Sequence, residues 1–229
     1  MDLLFGGLRW AMLVGPVLLS VTGPASAESG YTVTETTEYD YADVEEQPLL
    51  APEREALGSY GPFKLVSENR VEMNGGVGSD TPRLFKAMIA AHPGIGQIDM
   101  IDCPGSLDDD ANLILARMIR AKGISMHIPK DGSVRSGGVE LFLAGKQRIA
   151  DAGAEIGVHS WQDSDGLEAT DFAADDPVHA PYISFYRDMG LSDDQARAFY
   201  DFTNHAAPFG DVHVMSAAEV KRFGLLTTS

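Results

Sequence analysis

Between residues 97 and 159 the chain repeats one pattern: a short apolar run, a turn marked by Gly or Pro, then a helical segment. Residues 97–102, 124–128, 149–150 and 155–159 read as strands, and 108–123 and 136–144 as helices. The apolar runs are short and lack strict alternation, as expected of strands covered on both faces. Strands separated by helices pair in parallel, because the helix supplies the crossover. This alternation confines the chain to an α/β fold with a mostly parallel sheet built from βαβ units.

The flanking segments extend the pattern. Residues 63–73 are β-rich and stop at Asn74-Gly75-Gly76. Residues 79–91 read as a helix with Pro82 in its first turn. Asp108, Asp109 and Asp110 suit a helix start through the macrodipole, and Gly123 suits the residue after its end. Beyond residue 177 the chain is mainly helical, over 177–189 and 192–205. Ser192 with Gln195, and Ser216 with Glu219, have capping-box spacing, and Gly224 closes the last helix. The expected globular domain is 60–229.

Two N-terminal segments stand apart. Residues 1–27 read as a cleaved signal peptide: Arg9, an apolar run from Trp10 to Leu19, then the small-x-small site Ala25-Ser26-Ala27. Gly15, Pro16, Gly23 and Pro24 interrupt that run, which suits cleavage better than a retained membrane anchor. The expected location is therefore periplasmic or secreted, with no membrane attachment after cleavage. In 28–59, carboxylates from Glu28 to Glu55 face a single basic residue, Arg54, and apolar periodicity is weak. This segment is expected to be an acidic, disordered linker.

The segment that carries chemistry runs from Ser136 to Gly145. Ser136 opens a helix with almost no polar face, where free N–H groups and the helix dipole can stabilise an oxyanion beside an exposed nucleophile. The bland alternative is that Ser136 only caps the helix. Cys103-Pro104-Gly105-Ser106 turns from a strand into a helix; its N–H groups are either half of an oxyanion hole or an ordinary turn. His159 ends a strand and is either a general base or a structural histidine. Glu140 is out of place on an apolar helix, with Arg117 or Arg135 as possible partners. His179, Tyr182, Phe185 and Tyr186 read either as core or as the wall of a cleft.

In order and spacing these residues resemble the Clp protease proteolytic subunit, on the Clp/crotonase fold, and within it a group of exported Clp-like proteins. Ser136, Gly138 and Ala144-Gly145 match the family's nucleophile helix. Arg148 and His159 keep its basic-residue-to-histidine spacing. Pro104-Gly105-Ser106 stands where the family has Pro-Gly-Gly. The resemblance implies an exported serine hydrolase, a peptidase, with catalytic Ser136, His159 and Asp211. The N–H groups of Gly105, Ser106 and Gly137 would form the oxyanion hole. Asp211 lies one residue away from the family's aspartate position, with Asn204 and His205 as fallbacks. A peptide or unfolded segment is the implied substrate and a homo-oligomer the implied assembly. The alternative is a catalytically inactive peptide-binding or assembly module on the same fold.

Other classes fit poorly. Acidic residues number 34 against 17 basic ones, a net charge of −17, which opposes sequence-independent nucleic-acid binding. Cys103 is the one cysteine, so neither an internal disulfide nor a Cys-rich zinc site is available. No metal and no cofactor are expected. The aspartates from Asp163 to Asp176 lack EF-hand spacing and read as a solvated loop.

Overall fold

The computed structural model describes residues 57–227. The signal-peptide segment and nearly all of the acidic segment lie outside the described residues. A meander opens the domain: β1 (Gly58–Tyr60), β2 (Phe63–Ser67) and β3 (Arg70–Asn74) pair antiparallel in sequence order. Gly58 and Ser59, expected in the linker, therefore belong to the sheet. Helix α1 (Thr81–Ala91) carries Pro82 in its first turn and buries Phe85, Met88 and Ile89. It leads into β4 (Gln97–Cys103), which pairs in parallel with β3.

Helix α2 (Asp109–Lys122) follows. The Asp108 carboxylate accepts the Ala111 N–H at 2.9 Å, Asp109 and Asp110 occupy the first turn, and Gly123 takes the left-handed conformation after the last. The aspartate run is thus a helix start. Next come β5 (Ser125–Ile128), β6 (Ser133–Arg135), α3 (Gly137–Leu143), β7 (Arg148–Ala150) and β8 (Glu155–Val158). The sheet forks at β4. Its first half, Gln97 to Asp99, pairs with β5, and β5 with β7. Its second half, Asp102 and Cys103, pairs with β6, and β6 with β8. Every pairing on both branches is parallel, so the expected α/β class with a mostly parallel sheet is the one observed.

The C-terminal part holds α4 (Ala180–Asp188), α5 (Asp193–Ala206), the two-residue strand β9 (His213–Val214) and α6 (Ala217–Arg222). Both capping boxes form, at Ser192 with Gln195 and at Ser216 with Glu219. Residues 177–179 form a 3-10 turn ahead of α4. β9 pairs antiparallel with β8. Arg148 ties this end of the chain to β7: its guanidinium donates to the carbonyls of Leu225, at 2.6 Å, and Gly224, at 3.3 Å. Its role in the fold is to hold this C-terminal segment. Phe63, Met73, Phe85, Met100, Leu115, Ile119, Phe142 and Phe199 are among the fully buried side chains of one continuous core. No helix among the described residues is long and apolar enough to cross a membrane.

Candidate active site

β4, β6 and β8 are neighbours running in one direction, so their C-terminal ends share one sheet edge, where open α/β sheets place their ligands. The turn Pro104-Gly105-Ser106 leaves β4, Ser136 leaves β6 and His159 leaves β8. Ser106, Ser136, Gly137 and His159 line one cleft of about 270 Å3, near the small end of the ~300–1,000 Å3 usual for ligand sites.

Ser136 precedes α3 but does not cap it in the usual way. Its backbone lies at φ 51°, ψ −131°, and its side chain makes no capping hydrogen bond. A capping serine sits in the extended region and accepts an N–H from the first turn; Ser192 and Ser216 do so in this chain. A positive φ at a residue with a Cβ costs of order 1–3 kcal/mol and is held only by the structure around it. The Ser136 N–H donates to the Gly157 carbonyl at 3.1 Å, and the Ser136 carbonyl accepts from Val139 at 2.8 Å. These bonds fix the strained turn and leave Oγ at the cleft.

Glycines bring the backbone close. A methyl built on Gly105 would lie 2.9 Å from Ser136 Cβ and 3.2 Å from its Oγ. One on Gly138 would lie 2.6 Å from the Cys103 carbonyl oxygen. The Gly-Gly pair thus lets α3 rest on the end of β4. Among the described residues no backbone acceptor takes the N–H of Gly105, Ser106 or Gly137. The Gly137 nitrogen lies 3.4 Å from where a Gly105 Cβ would be, so both sets of donors border the Ser136 side chain. Free N–H donors beside a serine side chain are the groups from which an oxyanion hole could be built.

His159 Nδ1 lies 2.7 Å from the Ser160 carbonyl oxygen. A carbonyl only accepts, so Nδ1 donates to it; in the neutral ring the lone pair is then on Nε2, the tautomer a general base uses. The Phe209 ring stands edge-on at 5.5 Å. The partner at Nδ1 is therefore a backbone carbonyl and not the Asp211 carboxylate that the family resemblance implied. Asp211 is exposed in the turn before β9, where its Oδ1 accepts the Val212 N–H at 2.8 Å. Asn204 lines the cleft, but its Nδ2 donates to the Tyr200 carbonyl at 2.7 Å, and its Oδ1 accepts the Trp161 N–H at 3.4 Å. His205 is exposed and bonds Asp201 of its own helix. Among the described residues no hydrogen bond joins Ser136 Oγ to His159.

The rest of the cleft was only partly legible. Glu140 pairs with neither arginine considered for it: Arg117 meets Asp188 and Arg135 meets Asp102. Instead Glu140 Oε1 accepts the Tyr186 hydroxyl at 2.8 Å, and burial raises its pKa to about 7 against that bond's opposing pull. Tyr182 donates to Asp109 Oδ2 at 3.1 Å. Tyr182 and Tyr186 line the cleft, Phe185 is core, and His179 bonds the Tyr200 hydroxyl at 2.7 Å. Asn112 lines the cleft unforeseen; its signal was a polar residue within the buried stripe of Leu115, Ala116 and Ile119. Cys103 is buried, and desolvation pushes its thiol up to about 12, too high for nucleophilic use. Asp163 closes its loop by accepting the Asp165 and Leu167 N–H groups, each at 2.9 Å.

No protein-family model and no curated protein matches the chain. Among solved structures it is similar to a mutant of the 1510-N membrane-bound stomatin-specific protease, at 18% identity over 69% of this chain and 76% of that one, with a TM-score of 0.46. It is similar to a ClpP1 mutant from Listeria monocytogenes, at 16% identity over 69% of this chain and 89% of that one, TM-score 0.49. It is also similar to the ClpP protease catalytic domain from Plasmodium falciparum, at 14% identity over 68% of this chain and 81% of that one, TM-score 0.46.

Proposed function

We propose that the chain is an exported serine hydrolase of the peptidase type, periplasmic or secreted once residues 1–27 are removed. The observation that carries this is the strained, uncapped Ser136 in a cleft where, among the described residues, nearby N–H groups and His159 Nε2 have no hydrogen-bond partner. In this reading Ser136 Oγ attacks the acyl carbon of a bound peptide while His159 Nε2 takes its proton. The N–H groups of Gly137 and of Gly105 or Ser106 hold the oxyanion. The imidazolium returns the proton to the leaving amine, and water then repeats the sequence to release the acid. The Ser160 carbonyl does the orienting usually left to a carboxylate, which makes the site a Ser-His dyad. Peptides or unfolded segments are the substrate. Assembly into a homo-oligomer is part of the reading; the exposed Val212 and Val214 on the open edge of β9 offer it a surface.

A second reading, an inactive peptide-binding module, is favoured by one feature: Ser136 Oγ and His159 share no hydrogen bond among the described residues. Fluorophosphonate labelling separates the two. Labelling at Ser136, lost in Ser136→Ala and in His159→Ala, supports the hydrolase. A folded protein that binds peptides and resists labelling is the module.

A further inference from the structure

We infer that the cleft beside Ser136 receives a cationic side chain of the lysine or arginine class from the peptide bound there. The inference rests on the cleft being the acyl-transfer site and names the substrate group it selects.

Glu140 lies in the first turn of α3, which Ser136 precedes, and both line the cleft with Asp109. Neither carboxylate has a basic partner among the described residues. The arginines of this region are engaged elsewhere: Arg117 with Asp188, Arg135 with Asp102, and Arg120 with the Gly145 carbonyl at 2.9 Å. Tyr186 and Tyr182 donate to Glu140 and Asp109 and hold each carboxyl in place; Glu140 carries its full charge only above about pH 7.

A second observation is independent of these charges. Asn112 is 2% exposed and lines the same cleft. Its Nδ2 donates to the Gly137 carbonyl at 2.9 Å, yet its Oδ1 has no donor among the described residues. Buried acceptors are almost always met. This one calls for a hydrogen-bond donor from a ligand. Aromatic rings line the same cleft: Trp161 and Tyr182 stack at 6.5 Å and 8°, and Tyr182 and Tyr200 at 6.2 Å and 28°. Two carboxylates, an unmet acceptor and aromatic faces together recognise a cation that also donates hydrogen bonds. An apolar side chain would leave Asn112 unmet, and an acidic one would be repelled.

Binding to the Ser136→Ala protein tests this without turnover. Three tripeptide amides, alike except for lysine, acetyl-lysine or norleucine at one position, are titrated by calorimetry. The salt is about 0.3 M, which screens the chain's general negative charge, and the pH is about 8.5, where Glu140 is ionised and lysine still cationic. The lysine peptide should bind at least about tenfold more tightly than either other peptide, equivalent to about 1.4 kcal/mol. That preference should vanish in Asp109→Asn/Glu140→Gln, with circular dichroism confirming the fold. Equal binding of the three, no binding of any, or a preference that survives the double substitution overturns the proposal. Fluorophosphonate labelling of the protein with Ser136 intact runs alongside. Selective binding without labelling sustains the cation pocket and removes the hydrolase reading; labelling without selectivity does the reverse.

Discussion

Glu140 links the cleft to the stability of the whole domain. Its carboxyl is raised from an ordinary 4.5 to about 7 by burial. Below 4.5 it is protonated in folded and unfolded chains alike and adds no penalty. As pH rises from there to about 7, the unfolded chain releases the proton while the folded chain retains it, so stability falls. At about 1.4 kcal/mol per pH unit the gap sets a ceiling of about 3 kcal/mol. Partial solvent access through the cleft brings the expectation to about 2 kcal/mol. Glu140→Gln keeps an acceptor for Tyr186 and cannot ionise. Urea unfolding of both proteins should give nearly equal stabilities near pH 4.5 and a variant more stable by about 2 kcal/mol near pH 8. Other carboxylates titrate in both proteins and cancel in the difference. A difference that does not change with pH, or that favours the parent at high pH, would show that Glu140 is ionised and well solvated in the fold.

Three further outcomes follow from the same geometry. Ser136→Gly should raise stability by about 1 kcal/mol, as relief of the positive φ outweighs the added chain entropy; a fall in the urea midpoint would make Ser136 a true cap. Asp211→Asn should change the fluorophosphonate labelling rate of Ser136 by less than about threefold, whereas a drop of order 10⁴ would return Asp211 to the triad. Gly138→Ala should cost about 2 kcal/mol in denaturant unfolding, because the new methyl meets the Cys103 carbonyl; an unchanged midpoint would mean that α3 moves freely off β4.

Several elements were legible because their signals are local. Asp108 and Gly123 bracket α2 as capping rules require, and both Ser-x-x-Gln/Glu boxes closed as read. His159 and the Pro104-Gly105-Ser106 turn were legible as positions where an apolar run ends, and Ser136 as the residue that opens an apolar helix; Ser106, Ser136 and His159 line one cleft. Strand β6 was missed: in Ser133-Val134-Arg135 only Val134 is buried, which is too little for a periodic signal. Strand β9 was missed for the same reason. The partner of His159 was misplaced because a carbonyl leaves no trace in side-chain identity; every residue has one, and only the backbone path aims that of Ser160 at Nδ1. The unmet oxygen of Asn112 is likewise a property of packing.

Because β4, β6 and β8 pair only in parallel, their ends cannot meet until the crossovers between them have formed and docked. No local hairpin can bring Gly105, Ser136 and His159 together early, and closing these non-local pairings is slow. A chain that has collapsed but not yet threaded its second branch has neither Ser136 and His159 in one cleft nor the N–H groups of Gly105 and Gly137 near each other. Whatever chemistry the cleft performs therefore switches on only when folding is complete. An unfinished copy, the species most exposed to its neighbours, would be inert toward them.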